Sequence, residues 1–120
     1  INKVNFTGDK MINVKLKQEL FGYYKSERAK NYNLDISTKS NREIVSKNAK
    51  GEILIFQNMV EIIVVIKRDD SLIKQLKFLE KFKYSNKEDK FQLNQYEKEI
   101  KTSIAENVGK QLISKIAALQ

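Results

Sequence analysis

"EILIFQNMVEIIVVIKR", residues 52–68, decides the fold. Side chains alternate across a strand, so this run sorts Leu54, Phe56, Val60, Ile62, Val64 and Ile66 onto one face. The other face carries Ile53, Ile55, Gln57, Met59, Glu61, Ile63, Val65 and Lys67. One face is fit for a core and the other is half polar, the pattern of a strand in a sheet covered on one side. Its apolar stretch "VEIIVVI" (60–66) already contains Glu61 and falls far short of the roughly 20 residues that cross a bilayer.

Both neighbours of this run read as strands. Upstream, "NYNLDISTKSNREIVSK" (31–47) alternates through its first half and reaches "NAKGE", a hairpin turn in which Gly51 is free to take a positive φ. Downstream, "DDS" (69–71) turns the chain into a further strand that includes "LKFLEKFKYSNK" (76–87). There Phe78, Phe82 and Tyr84 point one way and Lys77, Lys81 and Lys83 the other. At the start, "INKVNFT" is a short strand ended by Gly8, and Asp9 is placed to cap a helix over "KMINVKLKQELFGYYK", where Ile12, Leu16, Leu20 and Tyr24 recur every fourth residue.

From Glu88 the spacing changes again. Leu93, Tyr96, Ile100, Ile104, Val108, Leu112, Ile116 and Leu119 follow at steps of three or four, predicting a terminal helix of about 30 residues and about 45 Å. The expected fold is therefore α+β, a two-layer sandwich of order β-α-β-β-β-α, with a four-stranded sheet and both helices on one face. If the first strand pairs parallel to a later one, the first helix is its crossover.

The 120 residues contain no proline and four glycines, so residues 1–120 form a single domain with no linker or repeat, large enough for its own core. Cysteine and histidine are both absent, which removes thiol nucleophiles, imidazole chemistry and the usual zinc sites. No glycine-rich phosphate loop occurs, and "NFT" (5–7) matches a glycosylation acceptor only by pattern. Asp69 with Asp70 and Glu88 with Asp89 stand where turns and helix caps want acids, so no metal and no cofactor is expected. Nothing supplies a nucleophile with its base and an oxyanion donor, and the chain reads as a binding or structural protein, not an enzyme.

The net charge is +8, and all of the excess precedes residue 88. That suits a phosphate-bearing partner. Drift in a low-GC genome also produces it, since lysine, isoleucine and asparagine make up 45 of the 120 residues and arginine only three.

The strand opening "INKVNFTG", the Arg42-containing strand leading through "AKGE" to a long apolar strand, "FKYSN" at the end of the fourth strand, and "YEKEIKTSIAENVGKQLISKIAAL" in the last helix together resemble the outer-membrane lipopolysaccharide-assembly lipoproteins, LptE or RlpB. The likeness spans nearly the whole chain and rests on residue classes. It implies an LptE-like domain that seats in the barrel protein LptD and binds lipopolysaccharide during delivery to the outer leaflet. It also implies a protein lipid-anchored at the periplasmic face of the outer membrane. The lipidated cysteine and signal peptide of that family are not in this chain, which begins at Ile1, and are expected to have preceded it.

On the uncovered sheet face, Lys77, Lys81 and Lys83, supported by Arg42, Lys47 and Lys50 of the neighbouring hairpin, are the expected lipopolysaccharide contacts. Ile53, Ile55, Met59 and Ile63 are the expected partner interface. The isolated chain is expected to be a monomer that binds no nucleic acid. Two alternatives stay open: a small basic α/β module that stacks bases on exposed rings, and a structural plug with no ligand of its own.

Overall fold

The computed structural model describes residues 3–24 and 32–119. Six elements run in the expected order: β1 (Lys3–Gly8), α1 (Lys10–Tyr24), β2 (Asn33–Lys47), β3 (Ile53–Arg68), β4 (Ser71–Ser85) and α2 (Lys90–Ala118). The sheet order is β1-β2-β3-β4. Strands β2, β3 and β4 form an antiparallel meander, whereas β1 lies parallel to β2, from Lys3 beside Asn33 to Gly8 beside Thr38. A parallel pair needs a crossover, and α1 supplies it.

The sheet is covered on one side. Phe56, Asn58, Val60, Ile62, Val64 and Ile66 of β3 are buried, while every odd-numbered neighbour is only partly so. The core joins them to Leu34 and Ile36 of β2, Leu76 of β4, Ile12, Leu16 and Leu20 of α1, and Ala105, Val108, Leu112 and Ile116 of α2. Leu54 shares the parity of the core face yet is 47 % exposed. Beyond Ile44 the β2–β3 register shifts twice, and Leu54 lies in that irregular stretch. Tyr24, expected in the α1 stripe, lies among residues whose side chains are outside the described set.

Local chemistry sets the boundaries. The Asp9 carboxylate accepts the Ile12 N–H at 3.0 Å, capping α1, and is held by Lys101 of α2 at 3.5 Å and by the Ser40 hydroxyl at 3.1 Å. Burial alone would raise the Asp9 pKa, but the Ile12 amide, the Lys101 charge and the Ser40 hydroxyl together lower it. Asp89 caps α2 by accepting the Phe91 N–H at 2.9 Å. Asp69 takes a φ of 51° in the β3–β4 turn, a conformation an aspartate tolerates. Asp69 and Asp89 therefore serve turn and cap geometry.

Gly8 joins β1 to the cap with a φ of +100°, and a Cβ there would lie 1.9 Å from the Thr38 carbonyl oxygen. Gly8→Ala is expected to cost about 2–3 kcal/mol, combining left-handed strain with a backbone clash. Because β1 is a six-residue edge strand, it relieves the clash by peeling off β2. Chemical denaturation measures the loss, and hydrogen exchange should show lost protection along β1 with the β2–β4 meander intact.

The α2 stripe differs from expectation in one respect. Leu93, Val108, Leu112 and Ile116 are buried, and so are Glu97, Ala105 and Gly109, whereas Tyr96 is exposed and Ile100 and Ile104 are only partly buried. The step of three from Leu93 to Tyr96 falls about 60° short of a full turn, so Tyr96 starts off the buried face. Each following step of four brings the series back by about 40° until Val108 and Leu112 lie on it. Gly109 lies against α1, where a Cβ would sit 2.7 Å from Glu19 Cβ, and its small size lets the helices approach.

Candidate ligand-binding face and a buried polar cluster

The uncovered face is organised in cross-strand rows. Asn41, Met59 and Lys81 form one, Glu43, Gln57 and Lys83 the next, and Ser37, Ile63 and Lys77 a third. Lys39, Glu61 and Leu79 lie between them, and Lys47 pairs with Ile53 near the end of the sheet. Lys77, Lys81 and Lys83 are exposed, while Ile53, Ile55, Met59 and Ile63 are half-buried. The register thus brings three lysines onto one surface with Ile55, Met59 and Ile63, as the alternation in β3 and β4 predicts. Ile53, beyond the β2–β3 register shift, instead packs against the Phe56, Tyr84 and Leu93 cluster under α2 and not on that surface. Alternate residues of a strand are about 7 Å apart, so the Lys77 to Lys83 row spans about 20 Å.

The lysines are not equivalent. Lys77 reaches Glu61 at 3.7 Å, and Lys67 reaches Asp35 at 3.2 Å. The Asp35 pKa is lowered by hydrogen bonds from the Asn5 amide and from Lys67. No ion pair engages Lys39, Lys81 or Lys83 among the described residues, which leaves their charge available. Strand β4 is also an outer edge of the sheet, where lysines oppose edge-to-edge association.

Two expected contacts lie elsewhere. Arg42 pairs with Asn58, and both side chains point to the helix side. Its even number places it in register with Leu34 and Ile36, so it cannot join the lysine row. Lys50 sits in the β2–β3 turn with its N–H donated to Asn48 Oδ1 at 2.9 Å, at the end of the sheet and off its face.

Arg42 instead forms a polar cluster between sheet and α2. Its guanidinium donates two hydrogen bonds to Glu97, Nε to Oε2 at 2.9 Å and Nη2 to Oε1, and stacks 4.9 Å above the Phe56 ring. The Tyr84 hydroxyl donates to Glu97 Oε2 at 2.5 Å, and the Asn58 amide lies 3.4 Å from the same oxygen. Burial alone would raise the Glu97 pKa, but hydrogen bonds from Arg42 and Tyr84 and the Arg42 charge outweigh it and hold the carboxyl below its ordinary value. The Tyr84 hydroxyl is pushed up to about 12, first by burial and then by donating to the carboxylate. Phe56, Phe82 and Tyr96 pack around the Tyr84 ring with centroids 5.7–5.9 Å apart. Sequence periodicity missed Glu97 because a charged residue interrupts an apolar stripe. Its only signal was that position 97, four after Leu93, falls on the inner face.

Phe78 and Phe82 are half-buried and Tyr84 is buried, all on the helix side. The lysine face therefore presents none of these three rings for base stacking.

With this geometry the chain can be set beside solved structures. It superposes on rare lipoprotein B from Shewanella oneidensis with a TM-score of 0.70, covering 98% of each chain at 11% identity. The chain has the rare-lipoprotein-B fold. A minor lipoprotein from Acinetobacter baumannii matches at a TM-score of 0.65 and 14% identity, over 98% of this chain and 91% of that one. No protein-family model and no curated protein matches the sequence. Near-full coverage in both directions at 11–14% identity means that the layer arrangement is shared, and it carries no site residue from those chains to this one.

Proposed function

We propose that this protein is a non-enzymatic lipopolysaccharide-assembly lipoprotein of the LptE/RlpB type. In this reading it seats in an LptD-type outer-membrane barrel, faces the periplasm, and presents its open sheet face to lipopolysaccharide. The observation that carries the reading is that face itself, where Lys77, Lys81 and Lys83 stand beside Ile55, Met59 and Ile63. Ammonium groups complement the phosphates of lipid A, and the half-buried isoleucines and methionine complement its acyl chains. The rings turned into the core favour this ligand over a nucleic acid. Lys81, Lys83 and Lys39 contribute most, because Lys77 is shared with Glu61.

The triple substitution Lys77→Glu, Lys81→Glu, Lys83→Glu is expected to weaken lipid A binding about 100-fold or more, taking about 1 kcal/mol for each lysine near an anionic lipid. Helical circular dichroism and melting temperature should hardly change, since all three side chains are exposed. Salt should weaken wild-type binding without abolishing it, because screening acts on the charges and leaves the apolar contact intact. Equal binding by the triple variant at low salt would return the lysines to edge protection and favour the plug reading. Co-purification with the barrel protein tests the partner separately.

A further inference from the structure

Helix α1 carries two apolar stripes. Ile12, Leu16 and Leu20 are fully buried in the core. Met11, Val14 and Phe21 lie on the outer side with Gln18, at steps of three and four, and Val14 and Phe21 are 58 % and 57 % exposed. They line two adjoining shallow depressions of about 610 and 360 Å³ that share Val14 and Gln18 and run along α1 beside α2. The rim is cationic. Lys10 and Lys98 border the first depression, Lys17 the second, and among the described residues neither depression has an acidic residue in its wall. Lys15, also on the rim, pairs with Glu19 at 3.5 Å, whereas Lys10, Lys17 and Lys98 make no ion pair among the described residues.

The neighbouring helix shows that an outer surface here need not be apolar. Past its first two turns, where Phe91 and Tyr96 are exposed, the exposed positions of α2 from Lys98 to Lys115 are Lys98, Glu99, Ser103, Asn107, Lys110, Gln111, Ser114 and Lys115, all polar. Solvated helices look like that, and α1 does not. A bulky apolar stripe rimmed by lysines on a helix lying flat on the protein is the arrangement of an interfacial helix, whose rings and aliphatic chains enter the headgroup boundary while lysines meet lipid phosphates. A nucleic acid would match the charge and leave the apolar stripe unused.

We propose that the outer face of α1, with Lys98 of α2, is a second lipid-facing surface that rests on an anionic phospholipid bilayer. It lies across the helix layer from the lysine face of the sheet and does not depend on lipopolysaccharide binding there.

The test uses vesicles of phosphatidylglycerol and phosphatidylcholine, with pure phosphatidylcholine as control and no lipopolysaccharide. Wild-type protein is expected to co-sediment with the anionic vesicles only. Lys10→Glu, Lys17→Glu, Lys98→Glu together should weaken this about 100-fold or more, at about fivefold for each lysine removed and further for each reversal. Val14→Ser with Phe21→Ser should also weaken it, whereas the sheet variant Lys77→Glu, Lys81→Glu, Lys83→Glu should retain most of it. Because the chain has no cysteine, Val14→Cys and Ser114→Cys each provide a unique attachment site for an environment-sensitive fluorophore. The probe at position 14 should shift to the blue on adding anionic vesicles, and the probe at 114 should not. Absence of wild-type binding, equal binding by the α1 variants, or equal shifts at both probes would overturn the proposal. Concentration-dependent sedimentation without lipid, lost in the Val14 and Phe21 variant, would also overturn it by assigning the stripe to a second copy of this chain.

Discussion

Replacing Glu97 by alanine is expected to cost about 3 kcal/mol of folding stability. The side chain is 9 % exposed and accepts from Arg42, Tyr84 and Asn58, so its removal strands a buried phenol and a buried amide and opens a small void. The Asn58 amide oxygen already has no partner, which deepens the cost of losing the other half of that group. Arg42 softens it, since its side chain is 40 % exposed and can turn to water, and this keeps the figure at the low end for a broken buried pair. Glu97→Gln keeps shape and some hydrogen bonding and should cost about 1–2 kcal/mol.

The pH dependence has a definite sign. The folded state holds Glu97 below its ordinary pKa, so its contribution is fully present above the unfolded value, about 4.3, and is lost as pH falls through the depressed folded value. Wild-type stability should therefore fall with acid more steeply than that of Glu97→Gln. Asp9 and Asp35, also lowered, keep part of the slope in the variant. Tyr84 acts at the other end. Raised to about 12, it favours the protonated folded form, and its contribution is lost as pH rises from about 10 through about 12. Denaturant titrations across pH measure both limbs, and a loss below about 1 kcal/mol for Glu97→Ala would show water replacing the carboxylate at little cost.

Leu112→Ala should cost about 3–5 kcal/mol, because Leu112 is completely buried in α2 where the helix meets the sheet core. Ile104, on the same helix, only packs against the edge of that cluster and remains partly exposed, so Ile104→Ala should cost about 1–2 kcal/mol. Periodicity alone ranks the two alike. Equal losses at both sites, by chemical denaturation, would mean that α2 is rotated about its axis from the orientation described here.

Much of this protein follows from local rules that one segment obeys by itself. Alternation in residues 52–68 places the core face of β3, Gly8 and Asp9 end a strand and start a helix, and the separation of Lys77, Lys81 and Lys83 from Phe78, Phe82 and Tyr84 needs only a period of two. The lysine face was legible for the same reason. Pairing between segments decided the rest. Arg42 shares the helix side with Leu34 and Ile36 by the same period of two, but that it meets Asn58 there, and Glu97 beyond it, depends on a β3 register set only when the hairpin closes. Glu97 lies inside the apolar stripe of α2 because Arg42 and Tyr84 arrive from two other strands to compensate it, and no helical pattern announces a partner supplied 55 residues away in sequence. The outer stripe of α1 likewise became visible only when packing had assigned Ile12, Leu16 and Leu20 to the core, leaving Met11, Val14 and Phe21 outside it. A side chain's direction is set by its own backbone, but what it meets there is set by the rest of the chain.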